Sequence, residues 1–362
     1  MDKMRASRTP RRLKPVLEMQ LGACPIPRPG DEVTYYSKGK CHQGTLLGHD
    51  PHGRPKVMNK FGNPVILPNF SAVRLLDPNA GRGPNWTAIH PEFIKSPHPN
   101  ELELFEKALE TRIPPGRTYK DLAREVAARG FELYLVGGTV RDVLAGRPAN
   151  DMDFATTMPL VMAVPLLNEM FGERFKPKWE TGYTRIGGSP ESGDPFIDLK
   201  VFAYADLGTS DAIFGCDFMR DIAYRDFACN SVYYDPLNQA LIDPSRRGIE
   251  DAEQQMLQLV CDERCLGDVQ AAKILIRFFK FLAKGFTATP DTNARIRNLF
   301  LGCLRSMKRA ERCRYVKTQL LSKYPRSEHD AILSRFREQM IRFGAEDEWR
   351  TLLEPFRSEI LK

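Results

Sequence analysis

Two aspartates, Asp151 and Asp153, alternate along a short strand that the segment DMDFAT (151–156) predicts. Side chains two positions apart on a strand face the same side, so both carboxylates point to one surface. Paired carboxylates repel each other unless a cation lies between them, and Mg²⁺ prefers such oxygen ligands and takes others from phosphates. Two ions of this kind would activate an attacking hydroxyl and hold a leaving pyrophosphate. A DxD by itself is also typical of a solvated strand end.

A pair of glycines precedes this DxD, and the second glycine stands thirteen residues before Asp151. Gly137 and Gly138 directly follow the short apolar strand FELYLV (131–136) and precede a predicted helix. Glycines allow a sharp backbone bend and the close approach of a ligand to backbone amides. The N-terminus of the helix would face the bend with its unpaired N–H groups, and Arg141 would add a cation there. The arrangement favours binding of a triphosphate.

The bulk properties indicate a globular protein of two or three domains with a polyanionic partner. The chain has 362 residues, 42% of them hydrophobic, and a net charge of +7. Basic residues outnumber acidic ones by five both in residues 1–15 and in residues 301–362. This charge favours nucleic acid as a partner, although basic ends can also serve only to keep a protein soluble. No apolar run predicts a membrane span or a secretory signal, and the eight cysteines show no metal or disulfide spacing. We therefore expect a cytoplasmic protein without membrane association.

The elements that position these residues divide the chain into five predicted parts. Short apolar–polar alternations punctuated by Gly, Pro and Asn predict a small barrel of the SH3 or Tudor type near the N-terminus. Alternating strands and helices follow, and then a long run with helical periodicity. The predicted boundaries are a basic flexible arm at 1–27, the small β-barrel at 28–78, a linker and helix at 79–117, an α/β head at 118–260, and a helical neck and body at 261–362.

Two long segments carry a resemblance to a known family. LVGGTVRDVLAGRPANDMDFAT (135–156) and RDFACNSVYYDPLNQALIDPSRRGIEDAE (225–253) resemble the signature elements of class II tRNA nucleotidyltransferases and bacterial poly(A) polymerases, within the polymerase-beta-like superfamily. The resemblance covers about half of the chain. It implies an α+β fold with a polymerase-beta-like nucleotidyltransferase head and an all-helical neck and body, to which the N-terminal SH3-like barrel is an addition.

The resemblance also implies residue roles. Asp151 and Asp153 would bind Mg²⁺, and Asp198, in FIDLKVF, would be the third catalytic carboxylate where the family more often has Glu. For Asp226 a helix-capping or salt-bridge role is the alternative to nucleotide contact. The implied nucleotide-binding residues are Gly137, Gly138, Arg141, Asp142, Arg225, Asp226, Asn230 and Lys273.

The neck helix departs from the family pattern. The family's EDxxR element selects the base, but Val269, Gln270 and Lys273 stand at those positions, and Tyr224 replaces the first Arg of RRDF. Valine cannot hydrogen-bond a base, and lysine lacks the planar fork of arginine. We therefore expect altered base selection. The nearby Phe278, Phe279 and Phe281 are more typical of a core than of a base-stacking platform.

The C-terminal helices carry a basic run. KRAERCRYVK (308–317) places four cations where they could follow a phosphate backbone, although a solvated helix face is an equal alternative. The predicted RNA-binding residues are Lys308, Arg309, Arg312 and Arg314.

Three functions remain open at this level. The first is addition of nucleotides from an NTP, ATP or CTP, to an RNA 3′ end, with tRNA favoured and pyrophosphate released. The second is the same chemistry on another acceptor, or inactivation of RNA as in a toxin or defence system. The third is a non-catalytic RNA-binding scaffold, which the retained carboxylates disfavour. For the N-terminal barrel we expect a protein partner first and RNA second.

Overall fold

A computed structural model describes most of the chain beyond the N-terminal arm. The described residues are 27, 29–37, 40–68, 73–76, 91–113, 116–129, 131–149, 152–158, 160–172, 177–178, 182–187, 196–205, 212–214, 218–263, 266–322 and 324–362. The predicted basic arm at 1–27 therefore lies almost wholly outside the described residues, and so does Asp151. Among the described residues, no helix is both long and apolar enough to cross a bilayer.

The strands form two large sheets and two small ones. They are β1 (Glu32–Ser37), β2 (Lys40–His49), β3 (Pro55–Asn59), β4 (Pro64–Ile66), β5 (Val73–Leu75), β6 (Ile94–Lys95), β7 (Arg112–Ile113), β8 (Arg117–Thr118), β9 (Leu133–Leu135), β10 (Met152–Thr156), β11 (Tyr183–Gly187), β12 (Phe196–Val201), β13 (Ala203–Ala205), β14 (Ala212–Phe214), β15 (Tyr233–Asp235), β16 (Ala240–Ile242), β17 (Met256–Leu257) and β18 (Thr287–Ala288).

The helices lie between and after these strands. They are α1 (Pro99–Leu109), α2 (Tyr119–Ala128), α3 (Gly138–Leu144), α4 (Leu160–Phe171), α5 (Phe218–Ala223), α6 (Gly248–Glu253), α7 (Asp268–Ala283), α8 (Pro290–Arg295), α9 (Arg309–Val316), α10 (His329–Phe343), α11 (Glu346–Leu352) and α12 (Arg357–Leu361). The mixed α+β fold and its helix-rich C-terminal part are as predicted.

The head sheet has the order β11-β12-β10-β9-β15-β16-β6, and within it β10 and β12 run parallel. Its two faces differ because side chains alternate along each strand. One face, with Leu135, Phe154 and Leu199, packs into the main core, while Tyr134 and Phe202 on the other face belong to a small aromatic cluster. The end of this second face carries Asp153, in register with Asp198 of β12.

The N-terminal strands form an open sheet in the described part of the chain. The long strand β2 pairs with β1, β3 and β14, and β1 also pairs with β5. Alternate side chains, among them Val33, Leu46 and Val57, are fully buried in a core of their own. β4 and β5 end the described path without pairing with each other, so the closed SH3-like barrel is not confirmed. The sheet instead extends through Phe214 of β14, which pairs with His49.

Helix α7 forms the centre of the helical part. Gly267 caps its N-terminus in an extended conformation, and the chain leaves the helix at Gly285 with a φ of 93°. Phe278 and Phe279 are fully buried and meet Phe343 of α10 edge-on at 5.1 and 5.5 Å between ring centroids. Burial of each such ring stabilises the fold by about 1.5–3 kcal/mol. The prediction that these phenylalanines are core residues is confirmed.

Candidate active site

The glycine bend lies directly beside the carboxylate of Asp153. Gly137 leaves β9 with a φ of 71°, a conformation that favours glycine, and Gly138 begins α3. The backbone N–H groups of Val136 and Asp153 donate to the Asp153 carbonyl and to the Thr139 hydroxyl, each at 3.0 Å. A Cβ added to Gly137 would lie 3.3 Å from Asp153 Oδ2, and one added to Gly138 would lie 3.6 Å from it. The missing side chains therefore allow the backbone of the bend to approach this carboxylate oxygen closely.

Asp198 lies on the neighbouring strand but is already engaged. Arg185, opposite it on β11, donates from Nε to Oδ1 and from Nη2 to Oδ2, both at 2.6 Å. The hydroxyl of Tyr183 also donates to Oδ1 at 2.6 Å. The hydrogen bond to Asp198 raises the pKa of Arg185, and burial, followed by the Asp198 charge, raises the pKa of Tyr183. The charge of Asp198 is thus balanced by a guanidinium, which the sequence analysis missed.

Arg141 connects the glycine bend to the following motif. Its Nη1 donates to Asn230 Oδ1 at 2.7 Å, and its Nε and Nη2 donate to Asp142 Oδ1 at 3.1 and 2.9 Å. Its guanidinium also lies 5.0 Å from the ring of Phe281 on α7. Three residues predicted to bind nucleotide are thus brought together, with Arg141 fixed between the head and the neck helix.

Asp226 is buried and paired with a residue that the sequence analysis did not single out. Its Oδ1 accepts from the Phe227 backbone N–H at 2.8 Å and from Asn230 Nδ2 at 3.1 Å. Its Oδ2 lies 2.7 Å from Nε of Arg277, an ion pair without good hydrogen-bond alignment. Burial alone would lower the pKa of Arg277, but the charge of Asp226, together with Tyr315 and Asp153, raises the pKa overall. The salt-bridge alternative for Asp226 is therefore realised here.

The spacing of basic residues along the predicted neck helix could have identified Arg277 from the sequence. It follows Lys273 by four residues, which is one helical turn, so both lie along the same side of α7. Lys273 itself lies 3.7 Å from Glu311 Oε1, and its Nζ is 5.8 Å from the ring centre of Tyr315. The predicted nucleotide contact of Lys273 thus competes with these neighbours, whereas Arg277 reaches the buried Asp226.

Arg225 belongs to a buried polar cluster behind the aromatic face of the sheet. Its Nε donates to Asp221 Oδ2 at 2.6 Å and to the Tyr233 hydroxyl at 3.0 Å, and Tyr233 also hydrogen-bonds Asp221. Burial tends to lower the pKa of Arg225, but the Asp221 carboxylate and the Tyr233 hydroxyl together raise it overall. The predicted contact of Arg225 with a nucleotide stays a prediction.

Lys200 adds a further cation on the sheet face that carries Asp153 and Asp198. It stands two residues after Asp198 on β12, and its Nζ lies 5.2 Å from the ring centre of Tyr224. Burial lowers its pKa to about 8, although the nearby Asp221 carboxylate opposes that shift. The period-two pattern of a strand would have placed Lys200 beside Asp198 from the sequence alone.

The predicted RNA-binding run divides into exposed and engaged side chains. Lys308 and Arg314 are exposed. Arg309 pairs with Glu359 and stacks over Phe356 at 4.2 Å. Arg312, only 6% exposed, donates Nη1 to two backbone carbonyls, at 2.9 and 3.3 Å. This placement favours a structural role for Arg312, whereas Lys308 and Arg314 are exposed and Arg309 is exposed but paired with Glu359.

The donor set partly fits a divalent ion. Asp153 places Oδ2 beside the glycine bend, and carboxylate oxygens suit Mg²⁺. Asp198 accepts three hydrogen bonds on its two oxygens, which leaves room for one further contact at Oδ2. Among the described residues, which exclude Asp151, the group of three metal-capable side chains is His98, Glu101 and Glu253. Glu101 there accepts from the His98 backbone in a helix cap, which accounts for its place.

The matches to known proteins cover the region that contains Asp153 and Asp198. Residues 133–258 match the family model of the poly(A) polymerase head domain. The multifunctional CCA protein of Xylella fastidiosa (strain M12) is 31% identical over 173 residues, 46% of this chain and 39% of that protein. The CCA-adding enzyme of Enterococcus faecalis is 32% identical over 142 residues, 38% of this chain and 32% of that protein. The chain thus matches well under half the length of these relatives.

Solved structures show the same fold over a larger part of the chain. The Bacillus stearothermophilus CCA-adding enzyme, solved in complex with CTP, superposes with a TM-score of 0.50 and 22% identity, covering 67% of this chain and 56% of that one. A CCA-adding enzyme solved with ATP superposes with a TM-score of 0.51 and 16% identity, covering 70% and 55%. At these identities the likeness concerns the fold.

Proposed function

We propose that this protein transfers nucleotides from a nucleoside triphosphate to an RNA 3′ end, because residues 133–258 match the family model of the poly(A) polymerase head domain. tRNA is the favoured acceptor and ATP or CTP the favoured donor, since relatives and fold neighbours are CCA-adding enzymes, two of them solved with CTP or ATP. The observation that carries the proposal is the carboxylate of Asp153 directly beside the glycine bend, with Asp198 in register on the next strand.

The reaction needs a metal ion beside these carboxylates. Bound Mg²⁺ would lower the pKa of the acceptor hydroxyl and stabilise the charge that develops on the leaving pyrophosphate. Asp151 and Asp153 would hold it, and Asp198 could contribute through Oδ2. Arg185 balances the charge of Asp198, so the carboxylates repel each other less than three unpaired anions would.

The remaining residues position the substrate. The glycine bend, without side chains, leaves space for triphosphate oxygens beside Asp153. The acceptor hydroxyl oxygen forms a bond to the α-phosphorus, the bond from the α-phosphorus to the pyrophosphate oxygen breaks, and the hydroxyl proton is released. Lys200 lies on the same sheet face as Asp198 and adds positive charge there for the departing phosphates.

Base selection is the part of the proposal that departs from the family. Val269 and Gln270 stand in the first turn of α7, and Nζ of Lys273 lies 3.7 Å from Oε1 of Glu311. We therefore propose that contacts outside the EDxxR pattern decide between ATP and CTP as donor.

A cytoplasmic location, consistent with free cysteines such as Cys41 and Cys229, is part of the same proposal.

Incorporation of labelled nucleotide tests the reaction. The full chain is incubated with Mg²⁺, total tRNA and each of the four radiolabelled NTPs, and labelled RNA is separated by length. We expect incorporation from ATP or CTP, and a loss of more than about 100-fold in Asp153→Ala, since even outer-shell partners of a metal are worth about 10–100-fold. Asp330→Ala, which removes an exposed carboxylate of α10, is the matched control and keeps full activity.

The outcomes separate the candidate functions. Labelled tRNA extended at its 3′ end supports the proposal, and labelling of a different RNA class transfers it to another acceptor. Equal activity in Asp153→Ala and the control contradicts the proposed site. No labelling from any NTP contradicts catalysis and favours the scaffold.

A further inference from the structure

The N-terminal sheet contains a cleft with an exposed aromatic ring at its rim. The cleft has a volume of about 620 Å³ and lies where the β1–β2 and β3–β4 hairpins meet. Its lining includes Tyr35, His42, Lys60 and Phe61. Pockets of about 300–1,000 Å³ are the usual size for sites that bind small ligands.

Phe61 is held in solvent by an ordered turn. Its side chain is 76% exposed, although burial of a phenylalanine is strongly favourable. Oδ1 of Asn59 accepts from the backbone N–H groups of Phe61 and Asn63, at 2.9 and 3.0 Å. Gly62 closes the turn with a φ of 76° and donates its N–H to the Asn59 carbonyl at 3.0 Å. The backbone that carries the ring is therefore preorganised at the surface, which lowers the entropy cost of a ligand stacking on the ring.

The cleft combines further aromatic rings with lysine side chains. His42 stacks on the buried Tyr35 at 5.3 Å between ring centroids and 27° between planes. The ammonium of Lys60 lies 5.1 Å from the Phe61 ring centre, and Lys40 is exposed next to the lining residue Cys41. Among the residues that the structure describes, the lining contains no carboxylate. The cleft thus offers aromatic surfaces and positive charge without opposing negative charge.

From this arrangement we propose that the cleft binds single-stranded RNA, with one base stacked on Phe61 and the adjacent phosphates near Lys60 and Lys40. Exposed aromatic rings with neighbouring cations bind single strands, because every base has a stacking face and every linkage a negative charge. A protein partner would need a larger apolar core at its interface than the polar side chains Thr34, Gln43 and Asn59 provide. This site is separate from the head and does not depend on its reaction.

Fluorescence anisotropy with a ten-nucleotide labelled oligo(U) tests the proposal. All variants of the full chain also carry Asp153→Ala and are measured without NTP or Mg²⁺, so that catalysis plays no part. Because each stacked base is worth about 1–3 kcal/mol, Phe61→Ala should weaken binding about 5-fold to 150-fold. Phe61→Trp should retain the affinity. Ile66→Ala, which removes another exposed apolar side chain of the same hairpin outside the cleft, is the matched control and should retain it too.

A direct contact assay removes ambiguity from binding elsewhere on the chain. Irradiation of the wild type with a 4-thiouridine oligonucleotide should cross-link the segments 41–43 and 59–61. Equal affinities of Phe61→Ala and Ile66→Ala, or cross-links confined to the head and body, would overturn the proposal. A loss of co-purifying protein in Phe61→Ala with unchanged RNA affinity would also overturn it, in favour of a protein partner.

Discussion

Replacement of Arg277 by methionine should destabilise the contact between the neck helix and the head. The substitution keeps the apolar stem but removes the cation that lies 2.7 Å from Asp226, whose side chain is only 7% exposed. Loss of one partner of a buried ion pair costs about 3–5 kcal/mol, because a charge stays buried without compensation. The Arg277 side chain is 34% exposed, and Asp226 keeps two other hydrogen bonds. We therefore expect a lower cost, about 2 kcal/mol.

Urea unfolding of four proteins measures this energy: the wild type, Arg277→Met, Asp226→Asn and the double variant. The double-mutant cycle isolates the pair, and we expect a coupling energy of about 1–2 kcal/mol. Arg342→Met is the matched control, since it breaks an exposed pair with Glu338 on α10 and should cost less than about 1 kcal/mol. A coupling energy near zero, with Arg277→Met no less stable than Arg342→Met, would refute the assignment of this ion pair as the link.

Two further predictions follow from single positions. Gly137→Ala places a Cβ 3.3 Å from Asp153 Oδ2 and should reduce nucleotide incorporation far more than Gly146→Ala, which also has a positive φ of 69° but meets no atom within 4 Å; equal activities of the two would contradict the close approach. Burial lowers the pKa of His49 to about 3 in the folded protein. As the pH falls, this side chain therefore takes up a proton in the unfolded state before it does so in the folded state. Stability should then fall by up to about 1.4 kcal/mol per pH unit between about pH 6 and pH 4, and amide exchange of β2 should lose that pH dependence in His49→Phe.

Local patterns in the sequence determined the centre of the candidate site. Gly137 marks the bend because its φ of 71° is a conformation that glycine adopts without strain, and the alternation of DMDFAT places Asp153 on one face of its strand. The apolar repeat of α7 likewise determined that Phe278 and Phe279 are core residues. These properties depend on residues within one or two turns of each other, so the sequence alone contains them.

Tertiary structure decided which groups meet across long distances in the chain. The pairing of Arg185 with Asp198 depends on the register of β11 against β12, and that of Arg277 with Asp226 depends on how α7 packs on the head. The extension of the N-terminal sheet by β14 likewise depends on the pairing of strands that are far apart in the chain. No local periodicity encodes such contacts, because strand register and helix packing are set by burial of whole faces rather than by neighbouring residues.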